Sequence, residues 1–297
     1  MLRDRAWAHC TPNLRALSYR FAVCCDDGAL GRHIEALLYA MCDSGDEEIA
    51  ASDALHRYTL ISVASGTLDL ARDGELVRAG LTCADAIGWL VWDVNRAAAE
   101  TSGQHLLFHA GGLEASGRGV LVPGPSGSGK STLTAGLARA GFAYLSDELV
   151  AFELATSRLL SYPKPITLKA GSFAALPELE PLADDDFGSR NPAAREWQVP
   201  VGASTALALG TPCEAAFIIV PRYDPGGTTS LSTLTETEAF FTLALNAVNL
   251  ISHQTAGTEA LGQLAARCEC LRLCFSDLEE ACRLVVDLVG VPAAQTC

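Results

Sequence analysis

Lysine is scarce in this chain: only three of its 21 basic residues are lysines, at positions 130, 164 and 169. Long apolar runs are also missing. Stretches such as "AAFIIV" (215–220) fall far short of the ~20 residues a membrane-spanning helix needs. The opening "MLRDRAWAHC" has no apolar core followed by a small-residue cleavage site, so no signal peptide and a cytoplasmic location are expected. Positive charge is short as well, with 21 Lys+Arg against 35 Asp+Glu and a net charge of −14. Without a basic stripe to neutralise phosphates, neither nucleic acid nor an anionic membrane surface is an expected partner.

No Cys-x-x-Cys occurs among the eleven cysteines, which are scattered along the chain. A disulfide framework suits a small secreted domain, which this is not. The densest group is Cys268, Cys270 and Cys274, with Cys282 in the helix that follows. Its spacing is wrong for a zinc knuckle, and buried reduced thiols are the expectation.

What is present is core-forming material: 49% of the residues are hydrophobic and 19% charged, over a length of 297 that suggests about two domains. Residues 1–100 read as an N-terminal α/β unit. "ALSYRFAVCC" is a strand and "GALGRHIEALLYAM" an amphipathic helix. "YTLISVA" follows as a strand, then a hairpin turning at Asp73-Gly74, then a helix over 82–100 capped by Thr82. Trp89 and Trp92, three apart on that helix, are expected to pack inward.

Residues 101–297 read as a second α/β unit. "QHLLFHAGGLEASGRGVLVPG" gives two strands turning at 117–119, "STLTAGLARA" a helix ended by Gly141, and "FAYLS" a short strand. "PKPITLK" and "EAAFIIVPRY" supply further strands, and "SDLEEACRLVVDLVG" a last helix with a Ser cap. Residues 176–197 have no clear periodicity and read as a long loop of the lid kind. The fold class expected is α/β, with a mixed sheet and a phosphate loop between strand and helix.

That loop is "GPSGSGKST", 124–132. Gly124-x-x-x-x-Gly129-Lys130-Ser131 matches the nucleotide phosphate-loop pattern, with the strand before it and the helix after it that the pattern requires. Gly124, Gly127 and Gly129 let the backbone turn where side chains would block it and bring N–H groups to phosphate oxygens. Those groups come from Pro125 through Ser126, Ser128 and Thr132, less the one N–H that Pro125 lacks. The helix starting near Ser131 points its positive end at the same place. Lys130 can reach β- and γ-phosphates, and the Ser131 hydroxyl can ligate Mg²⁺. In an arginine-preferring chain, this position carries a lysine.

After the next strand comes "YLSDELV". Asp147 there can take a proton from an attacking hydroxyl or hold the metal through water, and Glu148 can fill the other role. A helix cap or solvated turn is the structural alternative. His109, ending the strand of the preceding hairpin, can sit beside the loop, although a lone strand-end His is more often structural. Arg190 and Arg195 in the long loop, Arg222 after a buried strand, and Lys164 and Lys169 flanking "PITL" are weaker candidates for extra positive charge. Each reads first as a surface residue.

Taken together, 109–150, "HAGG…GRGVLVPGPSGSGKSTLTAGLARAGFAYLSDELV", resembles the catalytic core of the HPr kinase/phosphorylase group, related in fold to phosphoenolpyruvate carboxykinase. The resemblance implies that Lys130 and Ser131 act on phosphate and metal, that Asp147 is the base, and that His109 lines the same pocket. Glu148 stands where that family has a second aspartate. The family's downstream acidic-Ile-Arg-Gly-Leu-Gly segment has no counterpart here. The resemblance therefore carries over the kinase direction, and leaves phosphorolysis and HPr itself as acceptor open. The chain is more similar to the divergent HPr-kinase-like proteins, some of which phosphorylate a serine of a precursor peptide.

The expectation is thus an ATP- and Mg²⁺-dependent kinase acting on a hydroxyl of a protein, a peptide or a small-molecule alcohol. The competing expectation is a nucleotide-binding ATPase or regulatory switch with no phosphoacceptor. No "LSGGQ"-like or Asn-Lys-x-Asp-like segment favours a transport ATPase or a GTPase. Residues 1–100 can serve as an acceptor-recognition module through a hairpin edge. Self-association into a homo-oligomer is compatible with everything above.

Overall fold

The computed structural model describes residues 6–43, 54–63, 66–179, 196–202 and 207–291. The chain divides into two compact units, 1–102 with 167–200, and 103–166 with 201–297.

In the first unit, β1 (His9–Cys10), β2 (Leu14–Ala16) and β3 (Tyr19–Cys25) lead into α1 (Gly28–Leu38). Asp27 caps that helix, its carboxylate accepting from the N–H groups of Ala29 and Leu30. Then come β4 (Leu55–Ser62), β5 (Leu68–Arg72), β6 (Glu75–Leu81) and α2 (Cys83–Thr101). The sheet runs β1-β3-β4-β5-β6, with β2 on β3. β3 and β4 are parallel, and the other pairs antiparallel. Thr82 caps α2, as its sequence suggests.

Two expectations fail in this unit. Trp92 does not pack inward: it is 52% exposed, edge-on to Trp89, with the Arg96 guanidinium 5.8 Å from its ring centroid. Its face of α2 is the polar one, while Leu90, Val91 and Val94 fill the core side. The expectation against disulfides fails too, although Cys268, Cys270, Cys274 and Cys282 are the free thiols expected. Cys10 and Cys24 lie opposite each other in the β1–β3 register and form a disulfide. Sequence spacing could not show that two short strands would align them.

In the second unit, β7 (His105–Phe108), β8 (Ala110–Ala115) and β9 (Arg118–Pro123) precede α3 (Lys130–Arg139). After it come β10 (Ala143–Ser146), β11 (Val150–Glu153) and β12 (Arg158–Leu159). What reads in sequence as two strands is three, because the chain breaks at His109: β7 pairs with β11, whereas β8 pairs with β9 and β10. β13 (Ile166–Lys169) and β14 (Glu196–Val199) pair only with each other. The first compact unit takes in 167–200, and β13 and β14 are not strands of the nine-stranded sheet. Most of the expected lid loop, Arg190 and Arg195 included, lies outside the described residues.

The chain returns as β15 (Cys213–Tyr223) and β16 (Ser230–Thr233), then α4 (Glu236–Asn246), α5 (Leu250–Arg267), β17 (Glu269–Phe275) and α6 (Leu278–Val289). β9, β15 and β17 form a parallel trio. β10 is antiparallel to β8, which is antiparallel to β9, so β10 runs in the same direction as β9 with β8 wedged between them. Alternation along β8 shows the layering. Ala110 joins a core with Leu243, Leu261 and Leu264 of α4 and α5, while Gly111 faces α3 on the opposite side. Only glycine permits that approach, since a β-carbon at 111 would lie 2.0 Å from Thr134 Oγ1. α6 is capped by Asp277, whose carboxylate accepts from Glu280 N, and not by Ser276, whose hydroxyl donates to Gly227 O. The fold is α/β, a mixed sheet with helices on both faces and a glycine-rich loop between β9 and α3.

Candidate functional site

In a parallel set of strands, side chains and loops for ligand binding gather outside the carboxyl ends. Here that end carries the 124–132 loop after β9, Arg222 and Tyr223 at the end of β15, Phe275 at the end of β17, and Asp147 just after β10.

The loop is built on backbone conformations that side chains resist. Gly127 and Gly129 have φ of 84° and 94°, and Gly129 is the residue from which α3 begins. A β-carbon at 124 would meet Ser128 Oγ at 2.9 Å. Ser128 N donates to Pro125 O, and Ser128 O accepts from Tyr223 N, which ties the loop to β15. Pro125, Ser126 and Gly127 form the exposed crest, while Ser131 and Thr132 begin the helix half-buried. Lys130 folds its ammonium under the loop, donating to Gly124 O at 2.6 Å and Pro125 O at 2.9 Å.

These residues fit a polyphosphate and a divalent cation. Turns that bare N–H groups, a helix start and a lysine converge on one spot. The Ser128 hydroxyl is buried within the loop with no hydrogen-bond partner among the described residues. Among the described residues no cluster of three His, Cys, Asp or Glu side chains could hold a metal by itself. Any metal would therefore depend on hydroxyl, carboxylate and ligand oxygens together.

Asp147 is fully buried and accepts from Ser131 Oγ at 3.1 Å, so the residue after β10 meets the second residue of α3. Glu148, next in the chain, adopts the left-handed conformation with φ of 69°. Its carbonyl lies 3.1 Å from His109 Nδ1, and its carboxylate 3.3 Å from the Lys164 ammonium. His109 therefore sits beside the acidic pair at the β7–β8 break. Burial first, then the Lys130 charge, hold its pKa below the ordinary value against the opposing pull of the Glu148 carbonyl and carboxylate.

Lys164 is the residue that sequence reasoning misjudged most. It is no surface residue: its side chain is 1% exposed, and its ammonium also donates to Pro165 O at 2.8 Å. The buried Tyr144 hydroxyl donates to Lys164 O, and burial pushes that phenol's pKa well up. The available signal was the rarity of lysine combined with the Pro-Lys-Pro setting. By contrast, Arg222 is exposed at the strand end, and Lys169 forms a solvent-facing pair with Glu196 at 3.6 Å.

The site defines a class by geometry: an α/β unit with a phosphate-type loop between strand and helix and a buried carboxylate at the helix start. No family model matches the chain, and no curated protein matches it. Among solved structures, the HPr(Ser) kinase/phosphatase from Coxiella burnetii aligns at 14% identity with a TM-score of 0.29, over 62% of this chain and 93% of that one. A likeness that slight carries no functional inference. No helix among the described residues is long and apolar enough to cross a membrane.

Proposed function

We propose that the protein is an ATP-dependent, Mg²⁺-requiring phosphotransferase that places a phosphoryl group on a hydroxyl, most naturally a serine of a protein or peptide. The observation that carries this reading is the Ser131–Asp147 contact at 3.1 Å. It sets a buried carboxylate beside the hydroxyl that would ligate the metal, at the mouth of a loop suited to phosphate. Bound Mg-ATP would supply the transferable group and neutralise its charge. Lys130 holds phosphate oxygens, Ser131 offers its hydroxyl to the metal, and the loop N–H groups and α3 fix the direction of approach. Asp147 accepts the proton of the incoming alcohol. His109, neutral and tied to the Glu148 carbonyl, walls the pocket.

The same contact supports a second reading. A carboxylate hydrogen-bonded to a metal-ligating serine can serve the metal and water alone, as an ATPase switch requires. Incubation with γ-labelled ATP and candidate peptides separates the two. Label on a peptide hydroxyl supports the kinase, and free phosphate alone supports the switch.

For the N-terminal unit, our reading is acceptor recognition. β6 is an edge strand with side chains exposed on both faces, Leu76 to 61%. Such an edge can add an extended peptide as a further strand. Leu76→Glu should then raise KM for the acceptor and leave that for ATP alone. Equal changes in both would count against it.

A further inference from the structure

Lys164 is buried, and a buried ammonium is tolerated only where partners compensate its lost hydration. Its partners are the Glu148 carboxylate at 3.3 Å and the Pro165 carbonyl at 2.8 Å. The backbone of Lys164 is fixed in turn, its N–H bonding to Tyr162 O and its carbonyl accepting from the Tyr144 hydroxyl. Tyr144 lies on β10, the strand that delivers Asp147.

Glu148 is the strained member of this group. Its φ of 69° is a conformation that costs a side-chain-bearing residue about 1–2 kcal/mol, so something around it must hold it there. Contacts that hold it include the Lys164 ammonium on its carboxylate and the His109 ring on its carbonyl. The residue so held is the immediate neighbour of Asp147, and Ser146 closes the same turn from the other side by donating to Leu149 O at 2.7 Å.

We infer that Lys164 is a positioning residue of the site: its ammonium, through Glu148, locks the left-handed turn that aims Asp147 at Ser131. The inference rests on the phosphotransferase reading for its kinetic consequence, but not for the coupling itself. Lys130 alone of the two cations lies on the phosphate loop.

The decisive variant is Lys164→Met, which keeps the length of the side chain and removes its charge. Removing the Lys164 charge should loosen the turn at 146–149, read as faster amide hydrogen exchange there in the ligand-free protein. kcat should fall about 10²-fold, the scale of a displaced catalytic group, with little change in ATP affinity. Glu148→Gln should cause a similar kcat loss, and the double variant no further one, because both act through one contact.

Unchanged amide exchange at 146–149 in folded Lys164→Met would overturn the coupling. Additive losses in the double variant, or a loss of ATP affinity matching that of kcat, would also overturn it, the latter by placing the ammonium on phosphate instead. If the Met variant does not fold, Glu148→Gln carries the same exchange test, with faster exchange at the turn again expected. If the wild type labels no acceptor, the phosphotransferase reading has failed while amide exchange still decides the coupling.

Discussion

Gly129 and Phe275 meet where the phosphate-type loop rests on the end of β17: a β-carbon at 129 would stand 2.8 Å from Phe275 Cζ and 3.4 Å from Tyr223 Cβ. The same glycine has a φ of 94°. Conformation and close approach thus both exclude a side chain at the point where α3 starts.

Gly129→Ala should accordingly do two things. It should destabilise the second unit by about 1–3 kcal/mol through backbone strain and crowding, read as a lower denaturation midpoint. It should also weaken ATP binding measured by calorimetry, because the N–H groups at the start of α3 are re-aimed. A variant that binds ATP as the wild type does would show that the loop is not the phosphate site.

Acid should weaken the fold through two histidines. His109 and His105 are both held below the ordinary imidazole value of 6.5, in each case first by burial. A lowered folded pKa means that the unfolded chain binds more protons, so stability rises with pH through this window. The contribution is complete above the unfolded value and is lost as pH falls through the folded one. Urea unfolding should therefore give a lower midpoint at pH 5.5 than at pH 7.5, and His109→Gln should reduce that difference.

The Cys10–Cys24 link closes a loop with a sequence separation of 14. On chain-entropy grounds, Cys10→Ser should cost the first unit about 2–4 kcal/mol. Unfolding with and without reductant tests this: the wild type should lose the same increment on reduction, and the variant should lose nothing more.

The strand, loop and helix around 118–139 were legible because each residue there answers a local demand, for turning, for a bare N–H group or for a charge. The α/β class was legible for a similar reason, since hydrophobic periodicity records which face a strand or helix buries. What sequence hid was long-range. Lys164 is buried beside Tyr144 and Glu148, and its Pro-Lys-Pro setting, which Lys169 lacks, marks a constrained chain without saying what covers the side chain. Cys10 and Cys24 pair because two strands align. The β13–β14 pair stands apart from the nine-stranded sheet although "PITLK" reads like any other strand of it.

α4 carries a local start signal. "TETE" at 235–238 is a capping box, with Thr235 and Glu238 each accepting from the other's N–H. At α6, Ser276 and Asp277 are equally good caps on paper. Asp277 takes the role because the Ser276 hydroxyl is engaged with Gly227.

The central claim is that Asp147 acts on the acceptor's proton rather than on nucleotide binding. It is tested most directly by measuring γ-phosphoryl transfer and ATP affinity side by side in Asp147→Asn, which keeps the shape of the side chain and removes its basicity. Transfer should fall by about 10²–10⁴-fold while ATP affinity stays close to that of the wild type. Undiminished transfer in that variant would contradict the account.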